Sequence, residues 1–214
     1  MTIKACIFDL DGVLVDTARY HFLAWKSLAD RLGFSFTESD NERLKGVSRM
    51  ASLDILLEIG KRAPTDLEKL EYASEKNTLY LGYIEKMTPE DVLPGVREFL
   101  TELKKSGILI GLGSVSKNAR TILTKTAITE YFDAIVDGNI ITHAKPDPEV
   151  FLTGSKMLNI PASQCIVFED AVAGVEAAHR AGMKCVGVGT PEILGKADLI
   201  IPGFENFKMK DLTL

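Results

Sequence analysis

Short, largely apolar runs recur along this chain, each followed by a stretch with helical spacing, and that alternation narrows the fold more than any other feature. The runs fall at residues 4–8, 108–112, 134–136, 165–168, 184–188 and 199–201. Strands that are apolar on both faces belong inside a parallel sheet with helices on either side. Between them, residues 95–106 put Val96, Phe99, Leu100 and Leu103 on one stripe ahead of Gly107, as an amphipathic helix with a glycine stop requires. Residues 174–181 read as a small-residue helix ended by Gly182.

One interval breaks the rhythm. About a hundred residues separate the first run from the second, and from Asp16 to about Lys86 they show helical spacing and no strand. Phe22, Trp25, Ala29 and Leu32 form a stripe closed by Gly33. Leu53, Leu56 and Leu57 follow Ser48, a natural N-cap, and Leu67, Leu70, Tyr80 and Ile84 fit a third helical region after Pro64. An insert of this kind cannot lie within the sheet. The expected architecture is therefore α/β: a Rossmann-like parallel-sheet core domain (residues 1–15 and 87–214) with an inserted helical cap domain (16–86). In such sheets ligands bind beyond the carboxyl ends of the strands.

The composition removes several classes of function. Apolar residues make up 46% and charged residues 26%, with a net charge of −5, so no basic face for nucleic acid is expected. No apolar stretch is long enough to span a bilayer, and the opening MTIKACIFDLDG enters a strand directly, without a secretory leader. Cys6, Cys165 and Cys185 lie apart in strand-like segments; they read as buried free thiols of a cytoplasmic protein. A monomer acting on small anionic molecules is expected, without membrane or nucleic-acid partners.

The strand ends carry the chemistry. The first run ends in Asp9 and Asp11, with Gly12 permitting a tight turn, and the fourth ends in Glu169–Asp170. Carboxylates this close repel unless a cation joins them, and oxygen-only ligands from two strand ends suit Mg²⁺. Each acid alone would read as a helix cap or a solvated group; two pairs at two strand ends do not. The second run ends near Ser114, whose hydroxyl, with neighbouring backbone N–H groups, can hold phosphate oxygens. Lys145, before Pro146, can neutralise charge on a phosphoryl group. Singly, Ser114 reads as an N-cap and Lys145 as a solvated lysine; with the acids they make a phosphate clamp.

FDLDG, Ser114, Lys145–Pro146 and Glu169–Asp170, in that order over nearly the whole chain, resemble the four-part signature of the haloacid dehalogenase superfamily. The resemblance implies Asp9 as nucleophile and Asp11 as general acid and base. It also implies Mg²⁺ held by Asp9, the backbone carbonyl of Asp11, Glu169 and Asp170. The acidic pairs favour phosphoryl transfer over dehalogenation of alkyl halides, which needs neither. Segments 17–25, 44–49 and 75–80 of the insert, with 114–118 of the core, further resemble superfamily members that act as hexose-phosphate mutases. That implies transfer between positions 1 and 6 of β-glucose phosphates through a bisphosphate, the alternative being a sugar-phosphate phosphatase with the same Asp9 chemistry. On this resemblance Arg49, Ser116, Lys117 and Asn118 hold the non-reacting phosphate, with Val115 giving only its backbone N–H. Lys45, Gly46, Val47 and Lys76 line the sugar, and His21 couples substrate arrival to the position of Asp11. Trp25 is assigned to cap packing, and His143 and His179 to no partner.

Overall fold

The computed structural model describes residues 3–212. Its centre is a six-stranded, wholly parallel sheet of β1 (Ala5–Phe8), β2 (Leu109–Gly113), β3 (Ala134–Val136), β4 (Cys165–Glu169), β5 (Lys184–Val188) and β6 (Leu199–Ile201). The spatial order is β3-β2-β1-β4-β5-β6. The chain runs outward from β1 in one direction, then restarts at β4 on its other side, so a topological switch point lies at β1. Register aligns Phe8 with both Leu112 and Phe168, which brings Asp9, Gly113 and Glu169 to neighbouring strand ends.

Strand alternation sorts the core into two layers. Cys6, Phe8, Ile110, Leu112, Ile166 and Phe168 face one side, where α5 (Val96–Lys105) and α6 (Ala119–Lys125) cover them. Phe8 stacks on Phe168 with centroids 4.6 Å apart, and Phe99 meets Phe168 edge-on at 5.5 Å. Ala5, Ile7, Cys165, Val167 and Cys185 face the other side, under α7 (Glu149–Leu158) and α8 (Val172–Arg180). All three cysteines are buried and free. A short α9 (Pro191–Leu194) lies between β5 and β6.

The interval between β1 and β2 opens with four helices: α1 (Ala18–Leu32), α2 (Glu38–Glu42), α3 (Arg49–Ile59) and α4 (Asp66–Ile84). They bury a hydrophobic cluster of their own, with Trp25, Leu28, Leu53, Leu56 and Leu57 at its centre. Local chemistry sets their ends. Gly33 takes φ 81° to close α1, Ser48 accepts the Ala51 N–H to start α3, and Thr65 with Glu68 forms a capping box on α4. The stripe expected of α4 is only half right. Leu67 and Leu70 are 67% and 61% exposed, because Ala73, Lys76, Tyr80 and Ile84 form its buried face. Leu67 and Leu70 are turned away from that face. No helix among the described residues is long and apolar enough to cross a membrane.

Candidate active site

Where β1 ends, the Leu10 carbonyl accepts the N–H groups of Leu14 and Val15 at 3.0 and 3.2 Å, curling the chain into a tight loop. Gly12 adopts φ 81° there, and a Cβ on it would overlap the Asp170 carboxylate. The loop projects Asp9 and Asp11 together beyond the sheet. Glu169 is the last residue of β4 and is fully buried, and its Oε2 accepts the Ala171 N–H at 2.9 Å. Carboxylate oxygens of Asp9, Glu169 and Asp170 all lie within 4.8 Å of one another. An all-oxygen donor set of this size fits a hard divalent cation.

Lys145 sits beneath these acids with its side chain wholly inaccessible. Its ammonium donates to Asp9 Oδ1 at 2.5 Å and to Glu169 Oε1, and lies 5.0 Å from the Phe151 ring centroid. It is the buried counter-ion of both acids. Burial lifts the Asp9 carboxyl well above the ordinary range, Lys145 pulls it back, and the charges of Glu169, Asp11 and Asp170 add to the rise. Burial and Glu169 also push Asp170 up to about 7.

Asp11, two residues on, is perturbed the other way. Burial would raise it, but the hydrogen bond and charge of His21, with Thr17 and Lys76, bring its carboxyl below the ordinary value. Its Oδ1 accepts from the Thr17 hydroxyl, accepts from Tyr80 Oη at 3.3 Å, and faces His21 Nε2 at 3.7 Å. His21 belongs to α1 and Tyr80 to α4, so Asp11 is held by the inserted helices while Asp9 is held by the core. His21 Nδ1 in turn is hydrogen-bonded to Lys76 Nζ at 2.8 Å. Lys76 is 2% exposed, with its ammonium 4.6 Å from the ring centroids of both Trp25 and Tyr80. Burial, reinforced by Arg49, lowers it to about 7.

These groups surround one cavity of about 650 Å³. Thirteen of the sixteen residues singled out from sequence line it. From just beyond the ends of β1 and β4 come Asp9, Asp11 and Asp170; from the inserted helices and the α2–α3 loop come His21, Lys45, Gly46, Val47, Arg49 and Lys76; from the β2–α6 turn come Val115, Ser116, Lys117 and Asn118. The other three, Ser114, Lys145 and Glu169, are buried and support the wall. Ser114 is not an N-cap: α6 begins at Ala119, and the Ser114 hydroxyl accepts the Ser116 N–H at 3.1 Å, shaping the turn. Ser116 Oγ accepts the Asn118 N–H at 3.3 Å, and Gly138 is needed beside the turn because a Cβ would overlap the Val115 carbonyl.

Sequence reasoning missed several participants. Thr17 and Tyr80 contact Asp11, and Asn77 accepts from Asn118 Nδ2 at 3.4 Å across the cleft. Trp25, assigned to packing alone, also lines the cavity under Lys76. The available clue was helical spacing: Tyr80 lies one turn beyond Lys76 on α4, as Trp25 lies one turn beyond His21 on α1. His143 and His179 do have partners, Glu149 Oε2 at 3.0 Å and Asp198 Oδ2 at 2.9 Å, but neither lines the cavity.

Comparison with known proteins places the chain in a family and a fold. The family profile of haloacid dehalogenase-like hydrolases matches residues 3–182. A β-phosphoglucomutase of Bacillus subtilis is 46% identical over 213 residues, covering 99% of this chain and 92% of its own. A phosphorylated carbohydrates phosphatase of Thermotoga maritima is 34% identical over 85% of this chain and 82% of its own. The crystal structure of a β-phosphoglucomutase from Clostridium difficile superposes with a TM-score of 0.92 at 44% identity, covering 98% of this chain and 95% of that one.

Proposed function

The chain belongs to the haloacid dehalogenase-like hydrolase family, and from that premise we propose that it interconverts β-D-glucose 1-phosphate and D-glucose 6-phosphate through β-glucose 1,6-bisphosphate. One observation carries the choice of a mutase: the cavity has anion-binding groups on two walls. Arg49 stands on the inserted helices, and Ser116, Lys117 and Asn118 on the β2–α6 turn, in the same space as Asp9, with Lys76 beside the sugar position. A bisphosphate that must turn end for end needs a second phosphate position away from the reacting carboxylate. The planar fork of Arg49 suits that task.

In this reading Asp9 attacks phosphorus and carries the phosphoryl group as an aspartyl-phosphate. Lys145 holds Asp9 in place and offsets charge on the transferred group. Asp9, Glu169, Asp170 and the Asp11 carbonyl would hold Mg²⁺, which would neutralise the repulsion between Asp9 and an anionic substrate. Asp11 serves as acid and base on the sugar oxygen. It starts turned toward Thr17, Tyr80 and His21, and must leave them to face that oxygen. This bias limits hydrolysis: water alone does not bring Asp11 across, whereas a bound sugar that draws residues 16–86 down as a cap over the core (1–15 and 87–214) does. A positioned hydroxyl, with an effective molarity on the order of 10⁵ M, then outcompetes water. Ser114 shapes the phosphate turn, Val115 offers its N–H, and Lys45, Gly46 and Val47 border the sugar. Free thiols, a net charge of −5 and a self-contained cleft fit a cytoplasmic monomer working on small sugar phosphates.

The test is to incubate the pure protein with β-glucose 1-phosphate, Mg²⁺ and a trace of the bisphosphate, reading glucose 6-phosphate beside inorganic phosphate. Glucose 6-phosphate should dominate, and Asp9→Asn should abolish it. Phosphate release without isomerisation would replace the mutase with a sugar-phosphate phosphatase.

A further inference from the structure

We propose that Lys45 is a resident counter-ion of the acidic cluster, displaced from Asp170 when a divalent cation binds, so that metal loading unfastens the α2–α3 loop from the core. The inference rests on the reading of Asp9, Glu169 and Asp170 as the cation site.

The three carboxylates are not equally neutralised. Lys145 bonds to Asp9 and Glu169 and makes no ion pair with Asp170. The cation paired with Asp170 is Lys45, whose Nζ lies 3.5 Å from Asp170 Oδ2. Lys45 comes from the inserted helices, not from the core. Its ammonium has a second partner, Glu42 Oε1 at 2.9 Å. Two carboxylates from opposite sides of the cleft therefore share one ammonium, and the cap-side one is nearer.

The backbone makes the contact intimate. Gly46 adopts φ 72°, and a Cβ on it would lie 3.0 Å from Ala171 Cβ, so the loop bearing Lys45 presses on the turn bearing Asp170. Solvent reaches the pair from two directions. Lys45 and Asp170 border both the 650 Å³ cavity and a second one of about 430 Å³ beyond Gly12, Thr190 and Phe204.

A dication on the Asp170 carboxylate places two positive charges beside an ammonium a few ångströms away. The two compete for Asp170 Oδ2, the oxygen Lys45 faces, and Coulomb repulsion in a partly buried site disfavours holding both there. The exchange is nevertheless mild, because Lys45 keeps Glu42 when it leaves Asp170. Exchanging one positive charge for two brings the three carboxylates and Lys145 closer to neutrality. The loop is tied to the core without metal and released with it.

Magnesium titration calorimetry on the full chain, without sugar, tests this. Lys45→Met should bind Mg²⁺ roughly three- to tenfold more tightly than the parent, the worth of a partly screened ion pair. Glu42→Gln, which leaves Asp170 as the only carboxylate of the two, should bind it more weakly. Lys45→Arg should stay near the parent. Hydrogen exchange at residues 44–46 should speed up on Mg²⁺ addition in the parent and not in Lys45→Met. Equal affinities for the parent, Lys45→Met and Glu42→Gln, with binding lost in Asp170→Asn, would overturn the counter-ion role while leaving the metal site standing. No Mg²⁺ binding to the parent would instead remove the metal reading, and this proposal with it.

Discussion

Replacing Lys145 by Met should cost stability more than any single surface change in this chain, and the cost should depend on pH in a defined direction. The Lys145 side chain is fully inaccessible, and its ammonium is bonded to two acids, Asp9 and Glu169, whose side chains are 8% and 0% exposed. Methionine fills similar volume without charge, so the loss is electrostatic. Removing one partner of a buried ion pair leaves an uncompensated charge and costs about 3–5 kcal/mol. For a chain of this size that is a fall in Tm of roughly 6–20 °C. Burial holds the Asp9 carboxyl above the ordinary range and Lys145 is the group that pulls it down, so the shift grows in the variant. A carboxyl raised in the folded state binds protons better folded than unfolded; its stabilising effect is present in acid and lost as pH rises through the folded value. The deficit against the parent should therefore shrink at about pH 5 and widen at about pH 8. Thermal or urea melts of both proteins in chelator at the two pH values measure it. A deficit under about 1 kcal/mol at the higher pH, or one that grows in acid, would show that Lys145 does not hold these carboxylates in place.

Gly174→Ala in α8 should destabilise the fold by about 1–3 kcal/mol and weaken cation binding, since a Cβ there overlaps the immobile Glu169 carboxylate; unchanged melts and Mg²⁺ titrations would contradict this. Asp170 is pushed up to about 7, so a proton competes with the cation for its oxygen. Mg²⁺ affinity should climb between about pH 6 and pH 8 with proton release, and calorimetry in buffers of different ionisation enthalpy would expose a flat response. Lys76 is lowered to about 7 by burial and by Arg49, and between that value and its ordinary one the unfolded chain binds a proton that the folded chain does not. Arg49→Ala should move the Lys76 titration upward, read by NMR of ¹³C-methylated lysines; an unmoved titration would sever the two. The same variant should impair bisphosphate binding more than phosphorylation of Asp9, and equal loss in both steps would place Arg49 outside the second phosphate position.

Features written in short-range pattern were legible from the chain alone. The six apolar runs, the interval between β1 and β2, the Ser48 cap and the stop at Gly33 all depend on neighbours within a few residues, and hydrophobic period reports such neighbours directly. The acidic pairs could be placed because a strand end followed by Gly12 fixes where Asp9 and Asp11 point. Only the packing of α1 against α4 decided the surroundings of Asp11: Thr17 is six residues from it and Tyr80 sixty-nine, and no periodicity links separations of that size. Packing also buried Lys76 and Lys145, which in the chain look like any other lysine, and turned Leu67 and Leu70 outward. The pairing of Lys45 with Asp170 likewise exists only because Gly46 lets the loop approach Ala171. Residue types and local spacing determined which groups could do chemistry, while burial and long-range contact decided their charge, because the cost of holding a charge is set by what surrounds it in space.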